Sequence, residues 1–260
     1  MNEPDFKPLL FFVAVHNNFP LPPPRDDYAA LGLGGYQPAT TMRAYSDESG
    51  ESISHKNKNF CELTGSYWLW KNVSNVQFIG LNHYRRYFFL DPSSEMFFKY
   101  NVITVPANTE NFEYLTAPER SEFAKEIMSS CDVIVPRRWQ MNESMSSQYL
   151  NCHLREDWQL FTSTIQELWP QYTSWFDRTG YLYAYNMMIA SKDFFDAYMS
   201  SLFEVLTRME QKRSFSTDGY QCRAPGFLAE RFFTFYLSLI GARCFEVPIV
   251  FIKQEEDNSN

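Results

Sequence analysis

The chain has 260 residues, of which 45% are hydrophobic and 18% aromatic, and it carries a formal net charge of -8 at pH 7. This size and apolar content suffice for one large core, and we expect a single domain over residues 1–253 followed by a disordered polar tail over residues 254–260. The acidic balance argues against nucleic-acid binding, which needs a positive surface, but it is compatible with a small anion in a local basic pocket.

The first predicted element is a strand over residues 9–15, because a continuous apolar run is typical of a strand buried on both faces of a parallel sheet. It ends at His16 and Asn17, where we expect a first ligand-binding loop. The run is too short for a signal segment or a membrane span, so we expect a cytoplasmic protein. Five cysteines without CxxC spacing favour reduced thiols over a disulfide framework or a zinc site.

A helix is predicted over residues 54–72, with Ser54 as its N-cap, followed by a strand over residues 76–81. The alternation of strand, helix and strand is typical of a doubly wound sheet. Free N–H groups at a helix N-terminus attract anions, so Ser54, Lys56 and Asn57 are candidates to contact a nucleotide. Ordinary capping with a solvated lysine explains this segment equally well.

The second strand ends in the cluster His83-Tyr84-Arg85-Arg86, at the position where open α/β sheets bind ligands. Arginine offers a planar and permanently charged fork that suits phosphate oxygens, so we predict that the cluster binds a diphosphate. If the strand period continues, His83 and Arg85 share one face and Arg86 points away. In the alternative interpretation, one arginine locks a loop by pairing with a carboxylate and His83 is a satisfied core residue.

The remaining pattern predicts four further helices and four further strands. The helices are expected over residues 118–129, 155–169, 193–210 and 227–239, and the strands over residues 101–105, 131–135, 183–190 and 244–252. Glu230 lies early in the last helix, where the dipole stabilises its charged form, and it is a candidate general base. An ion pair between Glu230 and Arg231 is the alternative.

His153 and Asp157 are four residues apart, and we expect them to share one helical face. Such a pair is compatible with acceptor binding or with a metal, although two ligands are a weak metal signal. No DxD, HExxH, P-loop or GxSxG motif is present in the chain. We therefore predict no metal site and no cofactor.

Three blocks taken together resemble one bacterial family: residues 51–57, residues 62–72 with the pattern ELTxxYWxWKN, and residues 79–88 with HYRRYF. Residues 185–188 and 226–231 also resemble its signatures, so the likeness extends from about residue 9 to residue 251. Members are encoded in capsule, exopolysaccharide and O-antigen loci, and the family is regarded as glycosyltransferases although it was long described as a domain of unknown function. Two departures are His16-Asn17, where members often have His-Lys, and Ser52-Ile53-Ser54, where they have Asn-Ile-Ser.

The resemblance implies an A-type glycosyltransferase fold, which is Rossmann-like with a mostly parallel central sheet. It also implies a hexosyltransferase-type enzyme with a nucleotide-diphosphosugar donor, taken to be a UDP-sugar. The acceptor is expected to be an oligosaccharide or a lipid-linked saccharide. A lipid-linked acceptor would bring the cytoplasmic enzyme to the inner face of the plasma membrane by peripheral association.

The same resemblance assigns the site residues. HYRR occupies the place of the metal-binding DxD of A-type glycosyltransferases, so transfer is expected to be metal-independent, with Arg85 and His83 stabilising the departing diphosphate. Glu230 is expected to be the base, with Asp157 as the next candidate, and His153 and Asp157 to bind the acceptor. The residues expected to contact the donor are His16, Asn17, Ser54, Lys56, Asn57, Arg86 and Asn186. A non-catalytic sugar-nucleotide or glycan-binding protein is the main alternative, and a nucleotidyltransferase is disfavoured because no glycine-rich phosphate loop is present.

Overall fold

A computed structural model describes residues 7–172, 174–217 and 219–254. Of the predicted disordered tail only Gln254 falls within these ranges, and residues 255–260 lie outside the described residues. Within the described residues, no helix is both long enough and apolar enough to cross a membrane.

The elements were assigned over the same described residues. The strands are β1 (Lys7–Val15), β2 (Tyr28–Gly32), β3 (Arg43–Ser46), β4 (Val76–His83), β5 (Arg86–Phe88), β6 (Val102–Pro106), β7 (Val133–Pro136), β8 (Trp139–Gln140), β9 (Tyr181–Leu182), β10 (Ile189–Ser191), β11 (Cys244–Val247) and β12 (Ile249–Lys253). The α-helices are α1 (Asn57–Phe60), α2 (Leu63–Asn72), α3 (Glu95–Lys99), α4 (Thr109–Leu115), α5 (Pro118–Met128), α6 (Met145–Cys152), α7 (Arg155–Leu168), α8 (Trp175–Arg178), α9 (Lys192–Lys212) and α10 (Ala224–Leu239). Short 3₁₀ helices lie at Ser54–Lys56, Pro170–Tyr172 and Tyr220–Arg223.

One large sheet runs in the order β11-β7-β10-β4-β1-β2-β3. β1 lies near its centre and pairs in parallel with β2 and β4, whereas β10 is antiparallel to both of its neighbours. β12 extends the sheet by pairing with β5 and β6, and helices such as α9 and α5 pack against β4 and β7. The predicted α/β class, with a mostly parallel central sheet flanked by helices, is confirmed.

The side chains of β1 alternate between two hydrophobic cores, one on each face of the sheet. Leu10 and Phe12 belong to one core, and Phe11 and Val13 belong to the other. Gly80 is the partner of Phe11 in the parallel register, and a Cβ there would lie 2.2 Å from the Phe11 ring, so only glycine fits. This close packing fixes β1 against β4 and places the ends of both strands at one edge of the sheet.

Several predicted elements differ from the structure. β2 and β3 are missing from the prediction because both are short and lie between proline- and glycine-rich segments. The single helix predicted over residues 54–72 is interrupted at Cys61, whose φ is 50°. The predicted N-cap role of Ser54 is wrong, since the turn that begins there has no side-chain capping hydrogen bond.

Two further differences concern strands. Of the strand predicted over residues 183–190, only its end is in the sheet, because Tyr185 and Asn186 adopt φ values of 79° and 50° that no strand accommodates. The strand predicted over residues 244–252 is two strands, β11 and β12, separated by Pro248. β11 pairs with β7, whereas β12 pairs with β5 and β6, so the two strands on either side of Pro248 join different parts of the sheet.

Candidate active site

The predicted basic cluster lies at the edge where β1 and β4 end together. Ala14 and His83 are partners in the parallel register, and His16 follows β1 directly. After His83 the chain turns back, because β5 is antiparallel to β4 and pairs Arg86 with His83. The strand therefore does not continue through Arg85, and the predicted separation of Arg85 and Arg86 onto opposite faces is wrong. Both arginines line the same cavity.

We call this the cation-rich cavity, and its volume is about 490 Å³. Its lining includes four basic side chains but only one carboxylate, against the acidic background of the whole chain. The charged residues of its lining are Lys58, Glu62, Arg85, Arg86 and Arg223, and its polar lining includes His16, Asn57, His83 and Tyr84. A local excess of positive charge in a concave site favours a small anionic ligand.

A second cavity, which we call the aromatic cavity, has a volume of about 570 Å³. The residues that define it are Trp139, His153, Tyr185, Tyr220, Phe227 and Glu230. His153 stacks on Phe227 with ring centroids 4.2 Å apart, and Phe227 also contacts Tyr220 at 4.9 Å. Such a wall offers flat apolar faces, while Glu62 and Glu230 supply two carboxylates to the same cavity.

The two cavities are parts of one cleft, because they share a wall. The shared residues are Cys61, Glu62, His83, Arg86 and Arg223. A ligand with an anionic half and a neutral half could therefore extend from one cavity into the other. The shared wall is where its two halves would join.

Arg86 is held in this wall by aromatic rings. Its guanidinium carbon lies 5.1 Å from the ring centroid of Tyr185 and 5.3 Å from that of Phe251. Its Nε is buried and has no hydrogen-bond partner among the described residues. Because buried polar groups are normally satisfied, this atom marks a place where an external acceptor would be stabilised. Arg85 packs in a similar way, with its guanidinium carbon 5.1 Å from the Phe19 ring.

His83 is buried, and its Nε2 also has no hydrogen-bond partner among the described residues. Burial lowers its pKa to about 4, with Arg86 and His16 acting in the same direction and Glu62 opposing them. The imidazole is therefore neutral near pH 7 and would act on a ligand through a hydrogen bond rather than through charge.

The lowered pKa of His83 predicts that stability decreases as the pH falls. The unfolded chain takes up a proton near pH 6.5, whereas the folded chain does so only near pH 4, so this contribution is complete above pH 6.5 and is lost as the pH falls through that interval. The free energy of unfolding in urea should decrease between pH 7.5 and pH 5 in the wild type. In a His83→Gln variant this decrease should be about 2 kcal/mol smaller.

Two other groups affect stability in the opposite direction. Burial raises the pKa of Asp157 and of Glu230, so both favour folding at low pH. Because wild type and variant both contain them, their contributions cancel when the two proteins are compared. Equal pH dependence in the two proteins would show that His83 is protonated as readily in the folded chain as in the unfolded one.

Glu230 lines the aromatic cavity and is engaged on both oxygens. Oε1 accepts a hydrogen bond from the backbone N–H of Tyr185 at 2.7 Å, and Oε2 accepts one from Arg231 Nη1 at 3.0 Å. Burial raises the pKa of Glu230, while Arg231 opposes this shift. The predicted place in the cleft and the alternative ion pair with Arg231 are therefore both present, and the role of Glu230 as the base stays a prediction.

Glu62 is a site residue that sequence reasoning missed. It lines both cavities, and its Oε1 accepts a hydrogen bond of 2.7 Å from Asn186 Nδ2. The same Asn186 nitrogen donates to the carbonyl of Gly226 at 3.1 Å. Asn186 thus lies beneath the cleft and orients Glu62, instead of lining the cation-rich cavity or the aromatic cavity. Glu62 is the first residue of the ELT block, and this motif was the one sequence feature that could have identified it as a site residue.

Arg223 is the second missed residue. It is the last residue of the 3₁₀ turn before α10, and its Nε donates to Cys61 Sγ at 3.2 Å. No periodicity marks this position, so the sequence alone offers no signal for it. Arg223 and Cys61 both line the two cavities, so this contact is part of the shared wall.

Four residues that were predicted to contact the nucleotide-sugar donor lie outside the cation-rich cavity or are engaged by other protein groups. Asn57 lines the cation-rich cavity, although its Nδ2 is engaged by the Cys61 carbonyl and Thr64 Oγ1 at 2.8 and 2.9 Å. Asn17 lies beside this cavity and donates to Tyr84 Oη at 3.4 Å. The other two lie elsewhere: the Ser54 hydroxyl donates to Asp47 at 2.7 Å, and Lys56 pairs with Glu210 at 2.8 Å.

The predicted pairing of His153 with Asp157 on one helical face is wrong. α6 ends at Cys152 and α7 begins at Arg155, so the two side chains belong to different elements. His153 lines the aromatic cavity, whereas Asp157 is buried in an ion pair with Arg213. Asp157 does not line either cavity, so its position does not support acceptor binding or a role as the base, and both roles stay predictions.

No group of three or more His, Cys, Asp and Glu side chains is placed to hold a metal ion within the parts of the chain that the structure describes. The two carboxylates of the aromatic cavity are each bonded to protein donors instead. Metal independence stays a prediction, and an assay has to decide it.

A family model described as a domain of unknown function (DUF4422) matches residues 11–240. No curated protein matches the chain. Among solved structures, the apo structure of the bifunctional glycosyltransferase WbbM superimposes with a TM-score of 0.80 at 23% sequence identity. The match covers 94% of this chain and 45% of WbbM, so the chain spans less than half of that protein. At this identity the likeness shows a shared fold, and the predicted fold is confirmed on that basis.

Proposed function

The chain belongs to the DUF4422 family, and we propose that it is a glycosyltransferase that moves a sugar from a nucleotide-diphosphosugar to a saccharide acceptor. The observation that carries the proposal is a single cleft with a cation-rich cavity at one end and an aromatic cavity at the other. A nucleotide-sugar has a matching division, because its diphosphate is anionic and its sugar is neutral. The shared fold with WbbM supports the same proposal.

We assign the diphosphate of the donor, as UDP, to the cation-rich cavity. Arg85, Arg86 and Arg223 lie at its walls, and Arg86 has an unsatisfied buried Nε. Charge-assisted hydrogen bonds from arginine to phosphate are short and can be bidentate. When the bond between the sugar and the diphosphate breaks, negative charge accumulates on the leaving oxygen, and preorganised positive side chains stabilise that charge in place of a divalent ion.

We assign the transferred sugar and the saccharide acceptor to the aromatic cavity. Phe227, Tyr220 and His153 offer a continuous aromatic wall there, and Trp139 is exposed on the rim. The acceptor hydroxyl must lose a proton during transfer, and the aromatic cavity contains two carboxylates that could accept it. If the acceptor is lipid-linked and belongs to a capsule, exopolysaccharide or O-antigen, transfer would take place at the inner face of the plasma membrane.

A panel of nucleotide-sugars tests the donor assignment. One nucleotide-sugar present at 100 times its Kd should stabilise the protein by about 2.7 kcal/mol, which corresponds to a rise in Tm of roughly 5–10 °C. With that donor and an acceptor saccharide, release of free nucleoside diphosphate should proceed equally well in EDTA and in added Mn²⁺. The assay measures Tm by thermal shift and the released nucleotide by chromatography.

The outcomes separate the alternatives. Donor binding without any release of nucleotide would favour a non-catalytic sugar-nucleotide-binding protein. A strict requirement for Mn²⁺ would contradict metal-independent transfer while leaving the transferase proposal intact. Absence of binding by every nucleotide-sugar would contradict the proposed function.

A further inference from the structure

Backbone strain is concentrated around one side chain of the cleft. Among the described residues, Cys61, Tyr185 and Asn186 are the non-glycine residues with positive φ, at 50°, 79° and 50°. Cys61 directly precedes Glu62, and Asn186 donates its hydrogen bond to Glu62 Oε1. Such backbone conformations are sparsely populated for residues other than glycine and persist where the surrounding structure enforces them, which is common at functional sites.

The strain places Glu62 at the junction of the two cavities. The turn at Cys61 ends α1 and redirects the chain, so that Glu62 precedes the first residue of α2 and faces the cleft. Glu62 is the N-cap residue of α2, but its carboxylate makes no side-chain capping hydrogen bond to that helix. Oε1 is fixed by Asn186, while Oε2 accepts no hydrogen bond from any of residues 7–172, 174–217 and 219–254.

Glu230 differs from Glu62 in the cavities that it lines and in the hydrogen bonds that its carboxylate accepts. It lines only the aromatic cavity, and both of its oxygens already accept hydrogen bonds. One of these bonds comes from the backbone of Tyr185, whose ring lies over the Arg86 guanidinium. Glu230 is therefore arranged to hold the strained segment and, through Tyr185, to support Arg86.

We infer that Glu62 is the general base of the transfer reaction and that Glu230 is a positioning residue; this inference rests on the proposed function. Glu62 Oε2 takes the proton of the acceptor hydroxyl as the acceptor oxygen forms a bond to the anomeric carbon. At the same time the bond from that carbon to the diphosphate oxygen breaks, and its electron pair leaves with the diphosphate. The carboxylate becomes a carboxylic acid, and direct displacement inverts the anomeric configuration.

The variants Glu62→Gln, Glu62→Ala and Glu230→Gln test this assignment. General-base catalysis contributes about 10²–10⁴-fold, so Glu62→Gln should lower kcat for transfer about 1,000-fold. Donor affinity, measured by calorimetry, should stay within about threefold of the wild type, which also reports that the variant is folded. Glu62→Asp serves as the conservative variant and should retain more activity than Glu62→Gln.

Azide supplies a readout that a merely structural role would not change. It is already an anion, so it can attack the anomeric carbon without losing a proton. Added azide should restore release of nucleoside diphosphate by Glu62→Ala and yield a glycosyl azide of inverted configuration. It should not restore turnover in Glu230→Gln, because the defect there is misplacement of Tyr185 and Arg86.

Near-normal transfer by Glu62→Gln, or failure of azide to restore donor consumption by Glu62→Ala, would overturn the inference. Rescue of Glu230→Gln by azide would overturn it as well and assign the base to Glu230. In these cases the wild type still releases nucleotide, so the proposed function stands. Absence of nucleotide release by the wild type would instead overturn the proposed function and the inference that rests on it.

Discussion

Replacement of Arg86 by alanine is expected to lower kcat/KM for the nucleotide-sugar about 100-fold. Arg86 lines both cavities, and its guanidinium is held between the rings of Tyr185 and Phe251. A charge-assisted hydrogen bond contributes about 1.5–3 kcal/mol, so the loss of one or two such bonds to the diphosphate gives an effect of this size. Initial rates of nucleotide release across a range of donor concentrations measure it.

Two further variants control this experiment. Arg86→Lys keeps the charge but loses the planar fork and the stacking between rings, so we expect a loss of about tenfold. Arg208→Ala removes an arginine of α9 that pairs with Glu204 on the surface, and it should leave the rates unchanged. Wild-type kinetics in Arg86→Ala would remove this residue from the donor site.

Replacement of Asp47 by alanine is expected to lower the free energy of unfolding by about 3–5 kcal/mol and Tm by roughly 10 °C. Asp47 is fully buried, and its carboxylate accepts four hydrogen bonds. The donors are the backbone N–H groups of Gly34 and Gly35, at 3.0 and 3.4 Å, and the hydroxyls of Ser54 and Thr64, at 2.7 and 2.6 Å. Ser54 and Thr64 are buried, so alanine would leave their hydroxyls without this acceptor away from water, and an unsatisfied buried donor costs more free energy than an intact hydrogen bond contributes.

Asp132→Ala is the matched control. Asp132 also accepts several hydrogen bonds, but its partner Arg243 is exposed, and pairs of this kind contribute little. We expect a change of less than about 1 kcal/mol in that variant. Urea unfolding followed by circular dichroism compares the two proteins, and equal stability losses would contradict the importance assigned to the Asp47 network.

The general position of the site follows from the sequence because two separate signals agree. The buried run of β1 is followed directly by His16 and β4 ends at His83, and parallel neighbours end at one edge of the sheet. Both strands are strongly apolar, so hydrophobic patterning predicts each of them, although they pair across a long stretch of the chain. Both arginines line the cation-rich cavity, although the turn after His83 changes their directions, and their binding of a diphosphate stays a prediction.

The residues that complete the cleft come from positions that have no common pattern. Glu62 faces the cleft because Cys61 adopts a conformation that a helical pattern does not predict. Arg223 reaches Cys61 from a turn far along the chain, through a contact that only the tertiary structure defines. The error at Asp157 has a similar cause, since a four-residue spacing carries no information when the helix ends between the two residues.

Ser54 shows how one residue type supports two different structures. A serine at the start of an apolar stretch is typical of a helix N-cap, yet a buried carboxylate competes for the same hydroxyl. Here the Ser54 hydroxyl donates to Asp47, because the buried Asp47 carboxylate requires hydrogen-bond donors. Whether this carboxylate is buried beside the serine depends on the packing of the segments that donate to it, the turn after β2 and the helix α2, which local sequence does not report.

A crystal structure of the protein with a bound nucleoside diphosphate would test the division of the cleft most directly. We expect the diphosphate in the cation-rich cavity, with its oxygens within hydrogen-bonding distance of the Arg86 guanidinium, and the aromatic cavity open for the sugar. A diphosphate bound at another surface, with Arg86 making no contact to it, would contradict the proposed donor site.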